Sequence, residues 1–407
     1  MLAHIDADAF FASVLQRKDP RLKGKPLLAL GMGGGCVIAA SYEAKAKGIK
    51  TGMRLTDALA LCPQALRLPS DFRETGLASQ QIEAILQDIS PLIEQYSIDE
   101  WFIDLDAIPG GQPLNLCAWA EGLQRHIGDS TALSVSIGIG PSKLLAKMAS
   151  EYRKPKGITI VSDEQAIHGT YVLGIPAFLG DRPAASIPGI GRQRLPQVEA
   201  LGWLTAWDVA TGKAEDLQKL CGRPGLDMQR ELLGEYVSQI VIHPASQKSI
   251  SRCRSFPRTC APRILWATLL RHLEYVVLKM RTQELTSNGM SIWLRDDSYH
   301  HESTHISFPQ TLDTEESIQP YLQKTFEQLC QHQKFYTQAG LSLWRLTPRS
   351  PTQFSLFTEP LHIIEDEQVQ ASLDTLHRRF GRKSITRASA MEVETGTRQG
   401  FEIPFVE

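Results

Sequence analysis

The chain has 407 residues, 42% hydrophobic and 22% charged, with a formal net charge of -2. That length suggests about three domains and the composition is that of a soluble globular protein; the near-neutral charge excludes capture of a polyanion by an overall field, so a nucleic-acid partner has to be held by local basic patches. Seven scattered cysteines without a C-x-x-C pair argue against a disulfide framework or structural zinc, and no apolar run reaches the roughly 18 residues of a membrane span. The opening Met1 to Asp6 lacks a signal-peptide layout, so the expected compartment is cytoplasmic.

Leu2 to Ala7 reads as a buried strand whose alternation sets Asp6 and Asp8 on one face. Asp8 is placed to cap a helix beginning at Ala9, so a structural role and a metal-binding one are both open to it. Asp6, within the strand, needs a partner, and a divalent metal would also serve the acids further on. Residues 15–70 read as a small helical region with loops. Within it, Leu27 to Leu30 is a short strand, and the glycine-rich Gly31 to Gly35 precedes Cys36 to Ala40. These glycines match neither phosphate-binding fingerprint, and a plain hairpin is the simpler reading. Ser41 to Gly48 is a helical segment with Lys45 and Lys47 on a solvated face.

A helix over Glu74 to Ser90 leads into Ser97-Ile98-Asp99-Glu100, which runs on as Trp101-Phe102-Ile103-Asp104. Neighbouring side chains of a regular strand point to opposite faces, so Asp99 and Glu100 serve one site only if the backbone bends there, with Trp101 helping to wedge the bend. Together with Asp6 they suggest a carboxylate cage for a metal. A helix over Leu114 to Ile127, a strand over Leu133 to Gly140, a basic helix over Ser142 to Tyr152 and a strand over Ile158 to Val161 complete an α+β domain. Residues 165–240 look helical, and Ile187-Pro188-Gly189-Ile190-Gly191 has the form of a helix-hairpin-helix, whose free N–H groups receive a DNA phosphate, or of a simple turn between helices.

After a polar link, six elements follow in the order of a split βαβ unit: Arg252 to Phe256, Arg263 to Glu284, Met290 to Arg295, His305 to Phe308, Glu315 to Gln331 and Leu341 to Arg345. Lys248, Arg252 and Arg254 cluster on its first strand, either to follow a phosphate backbone or to protect a solvated edge. Beyond Pro348, Gln353-Phe354-Ser355-Leu356-Phe357 is an apolar peptide in a polar linker, suited to a partner pocket or to its own domain. A helix over Glu365 to Phe380 aligns Val369, Leu373, Leu376 and Phe380, ahead of the basic Arg378-Arg379 and Arg382-Lys383.

Five of these stretches, in order, resemble the signatures of the Y-family of translesion DNA polymerases: Asp6 to Val14, Tyr42 to Lys45, Ser97 to Glu100, Ser136 to Lys147 and Lys154 to Gly157. Traits of bacterial polymerase IV and of the polymerase V catalytic subunit are mixed. The resemblance implies a right hand: a ferredoxin-like palm (1–10 and 72–164), small fingers (11–71), a helix-hairpin-helix thumb (165–240), a linker (241–248), a split βαβ little finger (249–347) and a tail (348–407). It implies low-fidelity, template-directed DNA synthesis in damage tolerance and the SOS response, with primer-template DNA and deoxynucleoside triphosphates as partners.

In that frame Asp6, Asp99 and Glu100, with the Ala7 carbonyl, hold two Mg²⁺ ions, and Phe10, Tyr42, Lys45 and Lys154 meet the nucleotide. Phe11 falls at the steric gate against ribose, though core packing alone would account for an aromatic there. Gly189, Gly191, Lys248, Arg252 and Arg254 fall where DNA is contacted. Gln353, Leu356 and Phe357 resemble the motif for the bacterial sliding clamp, beside which accessory mutagenesis proteins are further partners. Lys45 in place of arginine loses a bidentate phosphate grip, and Ala39 and Trp101 also depart from the family pattern. A clamp-tethered non-catalytic relative and a two-metal cyclase or nuclease are the competing readings.

Overall fold

The computed structural model describes residues 1–31, 34–164, 169–242, 246–331, 333–349, 360–381, 384–386 and 388–391. The chain divides into one compact unit up to Pro244 and a second from Ala245 to Thr397. The clamp-like residues Gln353, Leu356 and Phe357, and the basic Arg382 and Lys383, lie outside the described residues.

The first unit opens with β1 (Leu2–Ala7) and α1 (Phe10–Lys18), then β2 (Leu27–Leu30), β3 (Val37–Ala40), α2 (Tyr42–Lys45), α3 (Leu55–Leu61) and β4 (Leu66–Pro69). It continues with α4 (Phe72–Gln87), β5 (Ile93–Gln95), β6 (Glu100–Asp104), α5 (Leu116–Thr131), β7 (Val135–Gly140), α6 (Lys143–Tyr152), β8 (Ile158–Val161) and β9 (Val172–Leu173). Short helices close it: α7 (Ile175–Gly180), α8 (Leu195–Ala200), α9 (Ala206–Thr211), α10 (Ala214–Cys221) and α11 (Arg223–Leu232).

Six strands make the central sheet, in the order β5-β6-β1-β7-β8-β9, with β1 antiparallel to both neighbours. The pleat sorts its two faces. Ile5, Trp101, Ile103, Ile137 and Ile139 pack with α4 and α5 in one core, while the other face carries His4, Asp6, Glu100 and Ser136. The helices start where capping chemistry places them: Asp71 accepts from the Glu74 N–H, Asn115 from Ala118, and Ser142 from Leu145. β2 and β3 pair antiparallel, as the hairpin reading expects, and β4, which the sequence reading left among helices and loops, pairs in parallel with β2 to complete a three-stranded sheet.

The second unit runs β10 (Ser249–Thr259), α12 (Pro262–Thr282), β11 (Leu285–Asp296), β12 (His301–Leu312), α13 (Glu315–Leu329), β13 (Tyr336–Pro348) and α14 (Pro360–Phe380). The βαββαβ order is as expected, in an antiparallel sheet β10-β13-β11-β12 backed by α12 and α13. Along the apolar stripe of α14, Leu373 and Leu376 are half-buried while Val369 and Phe380 are exposed. Its polar side docks as well. Arg281 of α12, almost wholly buried, binds Asp374 at 2.7 Å, Asp313 at 2.9 Å and Glu367 at 3.0 Å, and Gln370 accepts from the Glu315 N–H. Burial works against that guanidinium, but Glu367 and Asp374 outweigh it and hold the charge.

His272 of α12 is buried with its Nε2 against the Ala339 carbonyl at 3.2 Å. Burial, and then the charge of Arg252, lower its pKa to about 3. The unfolded chain protonates a histidine near about 6.5, so the stability gained from the neutral ring is complete above that pH and is lost as pH falls toward the folded value. Between pH 7 and about 5.5 the second unit should lose roughly 1 kcal/mol on this account. Hydrogen exchange of β11 and β13 amides checks it, and His272→Leu should remove that share of the pH dependence.

Candidate active site

The site is built where α6 lies across the central sheet, and two glycines let it approach. A Cβ at Gly138 would meet the Ala146 carbonyl at 2.1 Å and the Ser150 nitrogen at 2.2 Å, and one at Gly140 the Ala146 nitrogen at 3.0 Å. Helix backbone thus rests on strand backbone, as only glycine permits. The start of α6 is fixed from the helical layer, where the Glu231 carboxylate accepts from the Leu144 N–H at 2.9 Å and the Glu231 carbonyl accepts from the Ser142 hydroxyl at 2.7 Å.

Lys143, Lys147 and Glu151 recur every four residues, on one side of the helix. Lys143 pairs with Glu94 of β5 and Lys147 with Glu100 of β6, while Lys154, just past the helix, binds Asp6 of β1 at 2.6 Å and Glu151 at 2.5 Å. One rod therefore meets an acid on each of three neighbouring strands. Burial pushes the Asp6 carboxyl up, to about 8, against the pull of Lys154 and with the help of Glu151 and Glu100. Burial also works to lower Lys154, but Asp6 and Glu151 outweigh it and raise it. The carboxylates outnumber the ammonium, so the cluster holds protons tightly and attracts cations.

Asp6 and Glu100 lie directly opposite in register, and an oxygen of each lies within 4.8 Å of the other and of a His4 ring nitrogen. Sequence reasoning missed His4 as a member of this group, although its place two residues before Asp6 puts it on the same face. Its Nδ1 meets the Ser150 hydroxyl at 2.7 Å and its ring packs on Phe102 at 4.5 Å. Burial, then the charges of Lys147 and Lys154, keep the ring neutral. Asp99 falls outside that close group: its carbonyl accepts from the Ala7 N–H at 2.9 Å and its carboxylate from the Ser97 hydroxyl at 2.8 Å. The expected break in strand geometry covers Ser97 to Asp99, whereas Glu100 already begins regular β6. Trp101, fully buried opposite Ile5, anchors that strand in the core on the other face.

Asp8 does not cap α1. The N-cap is Ala9, in the left-handed region at φ 46°, without a side-chain cap. The Asp8 carboxylate instead accepts from the Ser136 hydroxyl at 2.8 Å, the Lys156 N–H at 2.9 Å and the Tyr42 hydroxyl at 3.3 Å, tying the loop after Lys154 and α2 to β1. The Lys45 ammonium sits 4.5 Å from the centre of the Tyr42 ring. Burial, and then the nearby Lys154 charge, lower the Lys45 pKa. Two cations thus crowd one side of the acids. Phe10 is committed to the core, whereas Phe11 is partly exposed and meets Phe72 edge-on at 5.6 Å.

In the helical layer Gly189 adopts φ +103° and its carbonyl accepts from Arg194, while Gly191 precedes α8. In the second unit Lys248 and Arg254 are exposed, and Arg252 lies 4.4 Å over the Tyr275 ring of α12, on the helix-covered side of β10. No helix among the described residues is long and apolar enough to cross a membrane.

Residues 5–151 match the impB/mucB/samB family model, and residues 247–356 match the model of that family's C-terminal domain. A DNA polymerase IV of Moorella thermoacetica is 30% identical over 394 residues, covering 95% of each chain. A DNA polymerase IV of Lactococcus lactis subsp. cremoris is 30% identical over 334 residues, covering 81% of this chain and 89% of that one. Among solved structures, a Y-family DNA polymerase chimera superposes with a TM-score of 0.71 at 22% identity, covering 86% of this chain and 99% of its own. An insertion ternary complex of a Dbh DNA polymerase gives 0.55 at 21% identity over 86% and 99%.

The approach of α6 gives a direct test. Gly138→Ala places a methyl inside the helix backbone, where no side-chain rotation relieves the overlap. It should cost about 3 kcal/mol or more, read as a lower Tm of the full chain, whereas Gly122→Ala, which meets nothing within 4 Å, should not lower it.

Proposed function

This chain belongs to the impB/mucB/samB family and is a metal-dependent, DNA-directed translesion polymerase of the polymerase IV type; on that premise we propose that Asp6, Asp99 and Glu100, with the Ala7 carbonyl, hold two Mg²⁺ ions. The residues fit such ions: oxygens of Asp6 and Glu100 lie within 4.8 Å of each other on one sheet end, a hard-cation donor set whose places Lys154 and Lys147 hold in the free protein. When bound, the ions activate the primer 3′-hydroxyl and neutralise the departing pyrophosphate.

The observation that carries this assignment is the crowding of Lys45 and Lys154 beside the acids, where Asp6 and Glu151 hold Lys154 charged and that charge adds to burial in disfavouring the charged form of Lys45. A triphosphate seated between them relieves that repulsion. Lys154 would leave Asp6 for phosphate while Glu151 keeps it in place. Tyr42, its hydroxyl on Asp8, positions Lys45 by the face of its ring. Phe11 would lie under the deoxyribose and exclude a 2′-hydroxyl, supported behind by Phe10.

By this assignment the central sheet with α4 to α6 is the palm, the three-stranded sheet with α1 to α3 the fingers, α7 to α11 the thumb and the second unit the little finger. Primer-template DNA is held by the backbone at Gly189 and Gly191 and by Lys248, Arg252 and Arg254. Gln353, Leu356 and Phe357 engage a bacterial sliding clamp through a glutamine amide and two apolar anchors, and accessory mutagenesis proteins are further partners.

Primer extension tests the assignment. Chelating divalent ions should abolish single-nucleotide addition, and Asp99→Ala should reduce it by about 10³-fold. Addition by that variant within a few-fold of the parent would remove Asp99 from the centre. Deleting residues 353–357 should leave single additions intact and eliminate clamp stimulation. Phe11→Ala should raise ribonucleotide incorporation by about 10²-fold, the order expected from losing a tight steric contact, and unchanged sugar selection would rule out the gate.

A further inference from the structure

Among the described residues, His4, Asp6 and Glu100 are a group of three metal-ligating side chains whose donor atoms all lie within 4.8 Å of one another. The two acids belong to the catalytic assignment, and His4 does not. His4 and Asp6 stand two residues apart on β1, and Glu100 of β6 lies opposite Asp6, so the pleat turns all three to the side covered by α6. His4 is wholly buried and Asp6 almost so.

The hydrogen bonds of the ring decide what it offers. Ser150 has a single hydroxyl proton, which it donates to the Lys147 carbonyl at 2.8 Å. At its 2.7 Å contact with His4 the serine oxygen is therefore the acceptor, and Nδ1 carries the imidazole proton. The lone pair is left on Nε2, which is buried and has no hydrogen-bond partner. A buried acceptor without a donor keeps its full desolvation cost. An imidazole with its Nδ1–H held by a neighbour and a bare Nε2, beside two carboxylates, is the arrangement of a metal ligand and its orienting partner.

We propose that His4 Nε2, Asp6 and Glu100 bind one divalent transition-metal ion of the Fe²⁺ to Zn²⁺ series in the chain free of DNA and nucleotide. The nitrogen sets the class: Mg²⁺ keeps to oxygen ligands, whereas these ions take imidazole together with carboxylate. Donors around a four-coordinate Zn²⁺ with bonds of about 2.1 Å stand about 3.4 Å apart, so a trio within 4.8 Å has about 1.4 Å or less to close. The exchange of charge is even. One divalent ion replaces the two ammonium groups that now meet these acids, and each lysine keeps a second neighbour: Lys154 has Glu151 at 2.5 Å, and Lys147 lies 5.1 Å from the centre of the Tyr96 ring. Asp99, whose carboxylate accepts from Ser97, stands outside the trio. On the catalytic assignment, an ion so placed takes two of the acids given to Mg²⁺, so the two occupancies exclude each other.

The test uses the full chain without DNA or nucleotide, so an Asp99→Ala variant that still extends primers would remove the catalytic assignment and leave this one standing. Zn²⁺ and, separately, Mg²⁺ binding are measured by calorimetry for the parent and for His4→Phe, which keeps a ring against Phe102. The variant should bind Zn²⁺ at least about 100-fold more weakly, since losing a ligand costs more than losing the group that orients it, and Mg²⁺ as the parent does. Ser150→Ala, which removes the acceptor of Nδ1–H, should weaken Zn²⁺ about 10-fold. Asp99→Ala should bind Zn²⁺ like the parent. In the parent loaded with one equivalent of Co²⁺, proton NMR should show a hyperfine-shifted, exchangeable resonance from the Nδ1–H of a ligated imidazole, and its absence overturns the proposal without recourse to any variant. So does parental Zn²⁺ affinity in folded His4→Phe, which would mean adventitious zinc on surface histidines only. An equal loss of Mg²⁺ in His4→Phe, or a loss of Zn²⁺ in Asp99→Ala as large as in His4→Phe, overturns it as well, by returning the ion to the catalytic acids.

Discussion

A carboxylate taken out of water without a counter-charge costs several kcal/mol, and the first unit answers that cost with one helix. Glu94, Glu100 and Asp6 stand on three adjacent strands, and Lys143, Lys147 and Lys154 come to them from α6 and the turn that follows it. The arrangement holds only if the helix lies close to the sheet, which Gly138 and Gly140 allow, and only if its start is fixed, which Glu231 provides. Fold and chemistry share these contacts. The lysines that make the acidic cluster tolerable in the free protein are the ones placed beside whatever cation or phosphate arrives.

The cost is one of mutual dependence. Lys154 divides its charge between Asp6 and Glu151, and Asp8 spends its carboxylate on the next loop, on Ser136 and on Tyr42. A change at any of them disturbs the others, because partly satisfied buried networks are worse than apolar packing. This coupling explains how an acid that makes no cap and belongs to no metal group still sits at the centre of the site.

Much of this was legible in the sequence because apolar alternation is strong where both faces of a strand are sorted. Leu27 to Leu30 and Ile158 to Val161 emerge at their expected limits, and the βαββαβ order of the second unit emerges whole. Its strands run longer than expected because β12 continues beyond His305 to Phe308 through His301-Glu302-Ser303-Thr304 and Pro309-Gln310-Thr311, polar residues that are a weak signal for a strand with one open face. The short β4 and β5 carried too few residues to show a period. In the site, residue identity revealed Asp6 and Glu100, but the partners of Asp8 include Lys156, 148 positions away, and no local pattern shows that. His4 and Glu151 were visible in principle, one from the strand period and the other from its fourfold spacing with Lys143 and Lys147.

The C-terminal helix shows where periodicity misleads. Its apolar residues line up, yet Val369 and Phe380 face solvent while Glu367, Gln370 and Asp374 are turned inward to Arg281 and Glu315. The folded unit therefore does not end where its hydrophobic alternation ends at β13. Beyond β13 the chain is held by the charges around one guanidinium, with Arg349 on Asp313 and Glu367 closing the same circuit, before Ala390 returns to the apolar core. The extent of a domain, usually decided by the reach of its oil-like interior alone, is here decided by electroneutrality as well.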